Sequence, residues 1–184
     1  MKKFSFIAFL ISIFILTGCS VSRKTTNVET TKSSDIRSTV HIKNSVPSRK
    51  IDTKNVAPNQ VVDFAETLMG IKYKYGGEST KGGFDCSGLV NYVFAHFNIS
   101  VPRVSVSFTN VGTEIPIKKC RPGDIILFTG TNANSGVVGH LGIITENNNG
   151  DVQFIHASER GVIISGMNSY FVPRFVKVNR VFPD

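Results

Sequence analysis

The stretch Gly82-Gly83-Phe84-Asp85-Cys86-Ser87-Gly88-Leu89-Val90 decides the reading of the chain. A glycine-rich turn gives way here to an apolar run, and a cysteine stands at the joint. From Cys86 to Phe97 the apolar positions Leu89, Val90, Val93, Phe94 and Phe97 have helical spacing, so Cys86 falls in the first turn of a predicted helix. A helix N-terminus carries partial positive charge and unpaired backbone N–H groups. Such a position, with an imidazole nearby, is expected to pull a thiol below its usual pKa of about 8.5 and to stabilise an oxyanion during acyl transfer. Asp85 just before it is a helix cap by type.

Outward from this point the domain divides into a helical half and a β half. "PNQVVDFAETLMG" starts with Pro58 and ends with Gly70, and Val61, Phe64, Ala65 and Leu68 share one face. "IKYKYGG" follows as an extended segment closing in a Gly-Gly turn. After the turn "RPGD", in which Asp124 reads as a turn residue, come "IILFTG", "HLGIITE", "VQFIHAS", "GVIISG" and "RFVKVNRVF". These are short β-rich runs separated by Gly, Asn and Asp, with "NNNGD" as the clearest hairpin. Helices first and strands after predict an α+β domain: N-terminal helices, one carrying the cysteine, on an antiparallel sheet of about five to six strands.

The chain's net charge is +8, yet residues 1–57 hold ten Lys/Arg against three Asp/Glu and residues 58–184 hold eleven against ten. The basicity belongs to the N-terminal region, which argues against a nucleic-acid-binding domain. Lys2 and Lys3 precede thirteen residues, Phe4–Leu16, apolar except for two serines. That is too short for a membrane span and matches a signal peptide. Its tail, Leu16-Thr17-Gly18-Cys19, resembles a bacterial lipobox, which implies cleavage before Cys19 and lipidation of its thiol. Residues 1–18 are therefore read as a lipoprotein signal and residues 19–57 as a lipidated N-terminus with a disordered basic tether. The tether is rich in Ser, Thr, Lys and Asn and lacks aromatic residues; its His41 has no assigned role. Residues 58–184 are read as one catalytic domain. The expected location is the cell envelope, lipid-anchored, facing the periplasm from the outer membrane in a diderm organism.

Three histidines lie in the domain. His96, near the end of the cysteine's own helix, is expected on the surface. His140 and His156 fall on successive strands, where one could take a thiol proton and the other orient it. Cys86, His140 and His156 also raise the question of zinc, but no close-spaced ligand pair accompanies them, so neither metal nor cofactor is expected. An exported setting permits a Cys86–Cys120 disulfide, which would block thiol chemistry.

"YKYGG" (73–77), "FDCSGLV" (84–90), "VPR" (101–103), "RPGDIILF" (121–128), "GHLGII" (139–144) and "FIHAS" (154–158) together resemble the NlpC-type cell-wall endopeptidases, papain-like cysteine peptidases of peptidoglycan. The resemblance implies Cys86 as nucleophile, His140 as general base, His156 as orienting residue, Tyr73 beside the thiol at the oxyanion site, and Asp85 and Ser87 flanking the substrate. It implies peptidoglycan as partner, hydrolysed in its stem peptides or cross-links; a monomer is expected, though the sequence carries no signal of oligomeric state. Phe108 departs from the pattern, standing near a position where many relatives carry Gln. Cys120 is expected to be a buried, inert thiol. Two other readings stay open: a non-catalytic wall-binding scaffold, and a thiol amidase or acyltransferase on another substrate.

Overall fold

A computed structural model describes residues 48–183. The expected signal segment, Cys19, His41 and the expected tether as far as residue 47 lie outside the described residues.

Helix α1 spans Pro58–Glu66 and buries Val61, Val62 and Ala65. It stops short of the expected end at Gly70. Thr67 Oγ1 donates to the Phe64 carbonyl (2.7 Å), and the next amides bond three residues back, which tightens the last turn. The strands β1 (Glu78–Ser79) and β2 (Gly83–Phe84) form a small hairpin ahead of helix α2 (Cys86–His96). A 3₁₀ turn, Ser105–Asn110, leads to β3 (Thr113–Ile115). The remaining strands are β4 (Ile125–Thr129), β5 (Val138–Asn148), β6 (Asp151–Ser158), β7 (Gly161–Gly166) and β8 (Phe175–Arg180). They make a six-stranded sheet in the order β3-β8-β4-β5-β6-β7, every pair antiparallel. The β5–β6 hairpin turns on Asn149 and Gly150, both at positive φ (54° and 102°), as a two-residue turn requires.

The period-2 alternation of the strands divides the apolar side chains between two faces. Ile125 and Leu127 of β4, Leu141 and Ile143 of β5, and Ile155 and Ala157 of β6 meet α1 and α2 in one core. Ile126, Phe128, Ile144, Val152 and Phe154 face the other way, under Cys120 and Phe171. Asp124 does more than close a turn. It is buried, accepts from the Arg121 amide (2.8 Å), and pairs with Arg180 through both carboxylate oxygens (3.1 Å each), tying the start of β4 to β8.

Residues 48–57, ahead of Pro58, are also part of the fold. Arg49 donates its amide to the Asn110 carbonyl (2.8 Å) and accepts from the Gly112 amide (3.0 Å). Ile51 and Val56 pack on the core, and Thr53 is buried. Two aliphatic side chains in a polar stretch suffice to dock this segment, so residues 48–57, expected as tether, pack on the domain.

Candidate active site

Helix α2 begins at Cys86 because of the turn before it. Asp85 caps the helix, its Oδ1 accepting from the Gly88 amide (2.6 Å). The Asp85 amide donates to the Gly77 carbonyl (3.0 Å), which brings the loop against the first helical turn. Gly88 permits that approach: a Cβ there would lie 2.0 Å from the Gly77 oxygen. Residues 72–74 run beside β2, with Lys74 donating to the Phe84 carbonyl (3.0 Å) and Phe84 to the Lys72 carbonyl (3.1 Å). This pairing sets Tyr73 on the same cleft as Cys86.

Behind the thiol lies a charged clamp. Arg103 donates to both oxygens of Asp85 (3.1 Å each), to Glu78 (2.9 Å) and to Ser87 Oγ (3.1 Å). Asp85 and Ser87, expected beside the substrate, are thus turned to Arg103, and neither lines the cleft. The helix cap and the guanidinium together take up the Asp85 carboxylate. Arg103 itself was visible only as part of a connecting Val-Pro-Arg.

The sheet supplies the other wall. Between β4 and β5 the register passes from Phe128↔His140 to Thr129↔Val138, leaving Gly139 as a bulge. His140 Nε2 and His156 Nδ1 are 2.9 Å apart, and His156 Nε2 lies 3.0 Å from Ser165 Oγ on β7. The two rings meet at 88°, their centroids 5.0 Å apart. Gly142 makes room for this: a Cβ on it would meet His156 Cβ at 3.3 Å and the Phe154 ring at 2.8 Å. Phe128, Phe154 and Phe171 surround the pair. Burial holds His140 down to about 4, and pushes His156 lower still, with the neighbouring His140 and Arg160 adding to the effect. Both imidazoles are neutral at pH 7.

Cys86 is a free thiol, as is Cys120; no disulfide joins them. Its Sγ lies 3.3 Å from Ser105 Oγ and 3.9 Å from the Gly139 carbonyl oxygen. Cys86 and His140 share the cleft, but in this resting arrangement the sulfur is bonded to Ser105 and the ring to His156. Ser105 is not marked by the sequence, because a serine nine residues past a helix carries no signal of its own. The expected lowering of the thiol pKa is not met. Burial pushes it up, outweighing the hydrogen bond from Ser105. Tyr73 is also raised, by burial and then by the nearby Cys86.

Phe108 is not a wall of the cleft. It is buried in the core, and its carbonyl accepts from Asn179 Nδ2 (2.8 Å), so it anchors the 3₁₀ turn that presents Ser105. His96 is exposed and stacks on Phe64 at 3.7 Å between centroids. Cys120 is buried and pushed up to about 11 by burial. Among the described residues no cluster of three His, Cys, Asp or Glu side chains could hold a metal ion.

The cleft has a volume of about 530 Å³ and is lined by Tyr73, Cys86, His140, His156, Tyr170 and Arg174 among others. A cysteine at a helix N-terminus, set against histidines on an antiparallel sheet, is the arrangement of a papain-like domain. The chain belongs to the NlpC/P60 family, whose model matches residues 70–180. It is 35% identical over 127 residues to a gamma-DL-glutamyl hydrolase of Bacillus subtilis, covering 67% of this chain and 30% of that one. It is 37% identical over 137 residues to the murein DD-endopeptidase MepS/murein LD-carboxypeptidase of Escherichia coli, covering 72% of this chain and 65% of that one. The chain therefore spans less than two thirds of the length of either relative. Among solved structures, an NLP/P60 family protein of Staphylococcus aureus, described as similar to lipoprotein, superposes with a TM-score of 0.60. It is 29% identical, over 77% of this chain and 45% of that one.

Proposed function

We propose that the protein is a cysteine endopeptidase that hydrolyses peptide bonds in the stem peptides or cross-links of peptidoglycan. The observation that carries this reading is the single cleft lined by Cys86 and by the His140–His156 pair. With His140 Nε2 engaged by His156, Nδ1 is the ring nitrogen left to serve the sulfur. The tautomers that fit are Nε2–H on both rings: His140 donates to His156, and His156 donates to Ser165. The relative named as a murein endopeptidase supports a wall peptide as substrate.

In the first step the Cys86 thiol turns from Ser105 and passes its proton to His140 Nδ1 as sulfur attacks the amide carbonyl. Backbone N–H groups of the first turn of α2, with the Tyr73 hydroxyl, face the developing oxyanion. The His140 imidazolium then protonates the departing amine, leaving a thioester on Cys86. Water, deprotonated by His140, attacks the thioester and releases the acid, and the proton returns to the thiol. His156 is a positioning residue: it fixes the tautomer and plane of His140. Because the resting thiol and imidazole are both neutral, the reaction starts from general-base transfer rather than from a formed ion pair.

The lipobox-like Leu16–Cys19 and the basic segment after it support an exported protein anchored by lipid on Cys19 in the cell envelope, acting on an immobile polymer. The test is digestion of purified peptidoglycan by the full-length protein in detergent. Release of soluble fragments is expected, and loss of that release in Cys86→Ala. Equal release by Cys86→Ala contradicts the mechanism. For the anchor, Cys19→Ala is expected to leave the envelope fraction; unchanged partitioning after processing contradicts it.

A further inference from the structure

Cys86 and His140 account for bond cleavage but leave the far wall of the cleft without a purpose. That wall begins where β8 enters the sheet. Arg174, the residue before β8, is half-buried and lines the cleft. Its Nη1 donates to the Tyr170 carbonyl (2.9 Å) and its Nη2 to the Thr131 carbonyl (3.3 Å). The carbon at the centre of its guanidinium also lies over the Tyr170 ring, 3.9 Å from the centroid. The group is thus held in position by two neutral carbonyls and an aromatic face. No carboxylate lies within ion-pair distance of it among the described residues, and its buried Nε has no hydrogen-bond partner.

Most arginines held this firmly are held by an acid. A guanidinium has five N–H donors, and two carbonyls leave it both charge and donors to spare. Placed on a cleft wall with limited water, that charge attracts an anion more strongly than it would at an open surface. The charged residues lining the cleft are Arg160, Arg174 and Glu159, so the cleft is positive on balance. Sheet order gives the position relative to the chemistry. Arg174 adjoins β8 and His140 sits on β5, with β4 between them. Two strand spacings are roughly 10 Å, the reach of two to three residues of extended peptide.

We propose that Arg174 is a specificity-determining residue that grips a free carboxylate on the substrate, two to three residues from the scissile bond. Its planar fork donates to both oxygens of a carboxylate, which a carboxamide of the same shape cannot reproduce. The enzyme would then sort peptides by whether that carboxyl is free or amidated. This inference rests on the peptidase reading of the same cleft.

The test uses peptidoglycan sacculi in two forms, native and with the carboxyl groups converted to carboxamides by carbodiimide and ammonium. Fragment release by the full-length protein is measured on both, and the ratio of rates is the readout. A charge-assisted pair predicts a native-to-amidated ratio of roughly 10- to 100-fold for the unmodified protein. Arg174→Gln should bring that ratio to about 1, by slowing cleavage of the native form alone. Arg174→Lys, which keeps the charge and loses the fork, should fall between. Because each ratio is taken on one preparation, partial loss of folded protein cancels. If Arg174→Gln does not fold, an Arg174→Lys ratio equal to that of the unmodified protein overturns the proposal. So does a ratio near 1 in the unmodified protein, or an undiminished ratio in Arg174→Gln. If the unmodified protein and Cys86→Ala release the same fragments from native sacculi, it is the peptidase reading that fails.

Discussion

Two polar networks flank Cys86, and they are built on opposite principles. On the helical side Arg103, Asp85, Glu78 and Ser87 form a charged clamp, partly open to water. On the sheet side His140, His156 and Ser165 form a neutral chain inside an aromatic box. In the proposed mechanism the clamp holds the helix start that carries the sulfur, and the chain receives its proton. A charged pair near solvent adds stability and orientation at modest cost, whereas a group that must take and return a proton works best when neither form is locked by a counter-charge.

That division makes the expected effects of substitution separable. The largest falls on His140. His140→Gln should lower kcat by roughly 10³-fold while leaving the thermal midpoint nearly unchanged, as read by fragment release and calorimetry. His156→Gln should cost on the order of 10- to 100-fold, because His140 stays in place without its tautomer and plane being fixed. If either substitution chiefly unfolds the domain, the chain is structural and the division fails.

The clamp should answer in the other currency. Arg103→Ala leaves Asp85 and Glu78 without their cation and is expected to cost about 1–3 kcal/mol in urea unfolding, with a smaller loss of kcat than His140→Gln. A loss of kcat as large as that of His140→Gln would mean that the clamp takes part in the chemistry.

Acidity offers a third contrast. Burial keeps both imidazoles neutral in the folded state, with His140 near 4, while an unfolded histidine binds a proton below about 6.5. Between those values the unfolded chain holds more protons, so stability is full above about pH 6.5 and falls as pH drops toward 4. The thermal midpoint should therefore decline by several degrees from pH 7 to pH 5, and much less in the double variant His140→Gln/His156→Gln. The smallest effect belongs to the other buried thiol. Cys120→Ala should change kcat less than twofold, because Cys120 does not line the cleft.

The sequence made the neutral chain more legible than the clamp. Helical spacing from Leu89 to Phe97 placed Cys86 at a helix start, and alternation in "HLGIITE" and "VQFIHAS" placed two histidines on neighbouring strands. Local periodicity carries such information. It does not carry contacts across long loops, so Arg103 reaching back to Asp85 and Ser105 to Cys86 were invisible, as was Ser165 closing the chain on β7. The thiol's pKa was misjudged for a related reason. The helix N-terminus is a local feature, but the burial that outweighs it comes from the assembled sheet. Residues 48–57 looked like tether because composition averages over a segment, whereas Ile51 and Val56 dock individually.

The proposed mechanism requires that the Cys86 sulfur form the covalent bond to substrate. Peptidoglycan mixed with the protein and quenched in acid within a turnover should leave a peptidyl thioester on the Cys86-containing fragment, detected by mass. It should be absent from the Cys120 fragment and reversed by hydroxylamine. Fragment release at full rate with no adduct on Cys86, or with the adduct on another residue, would contradict the claim.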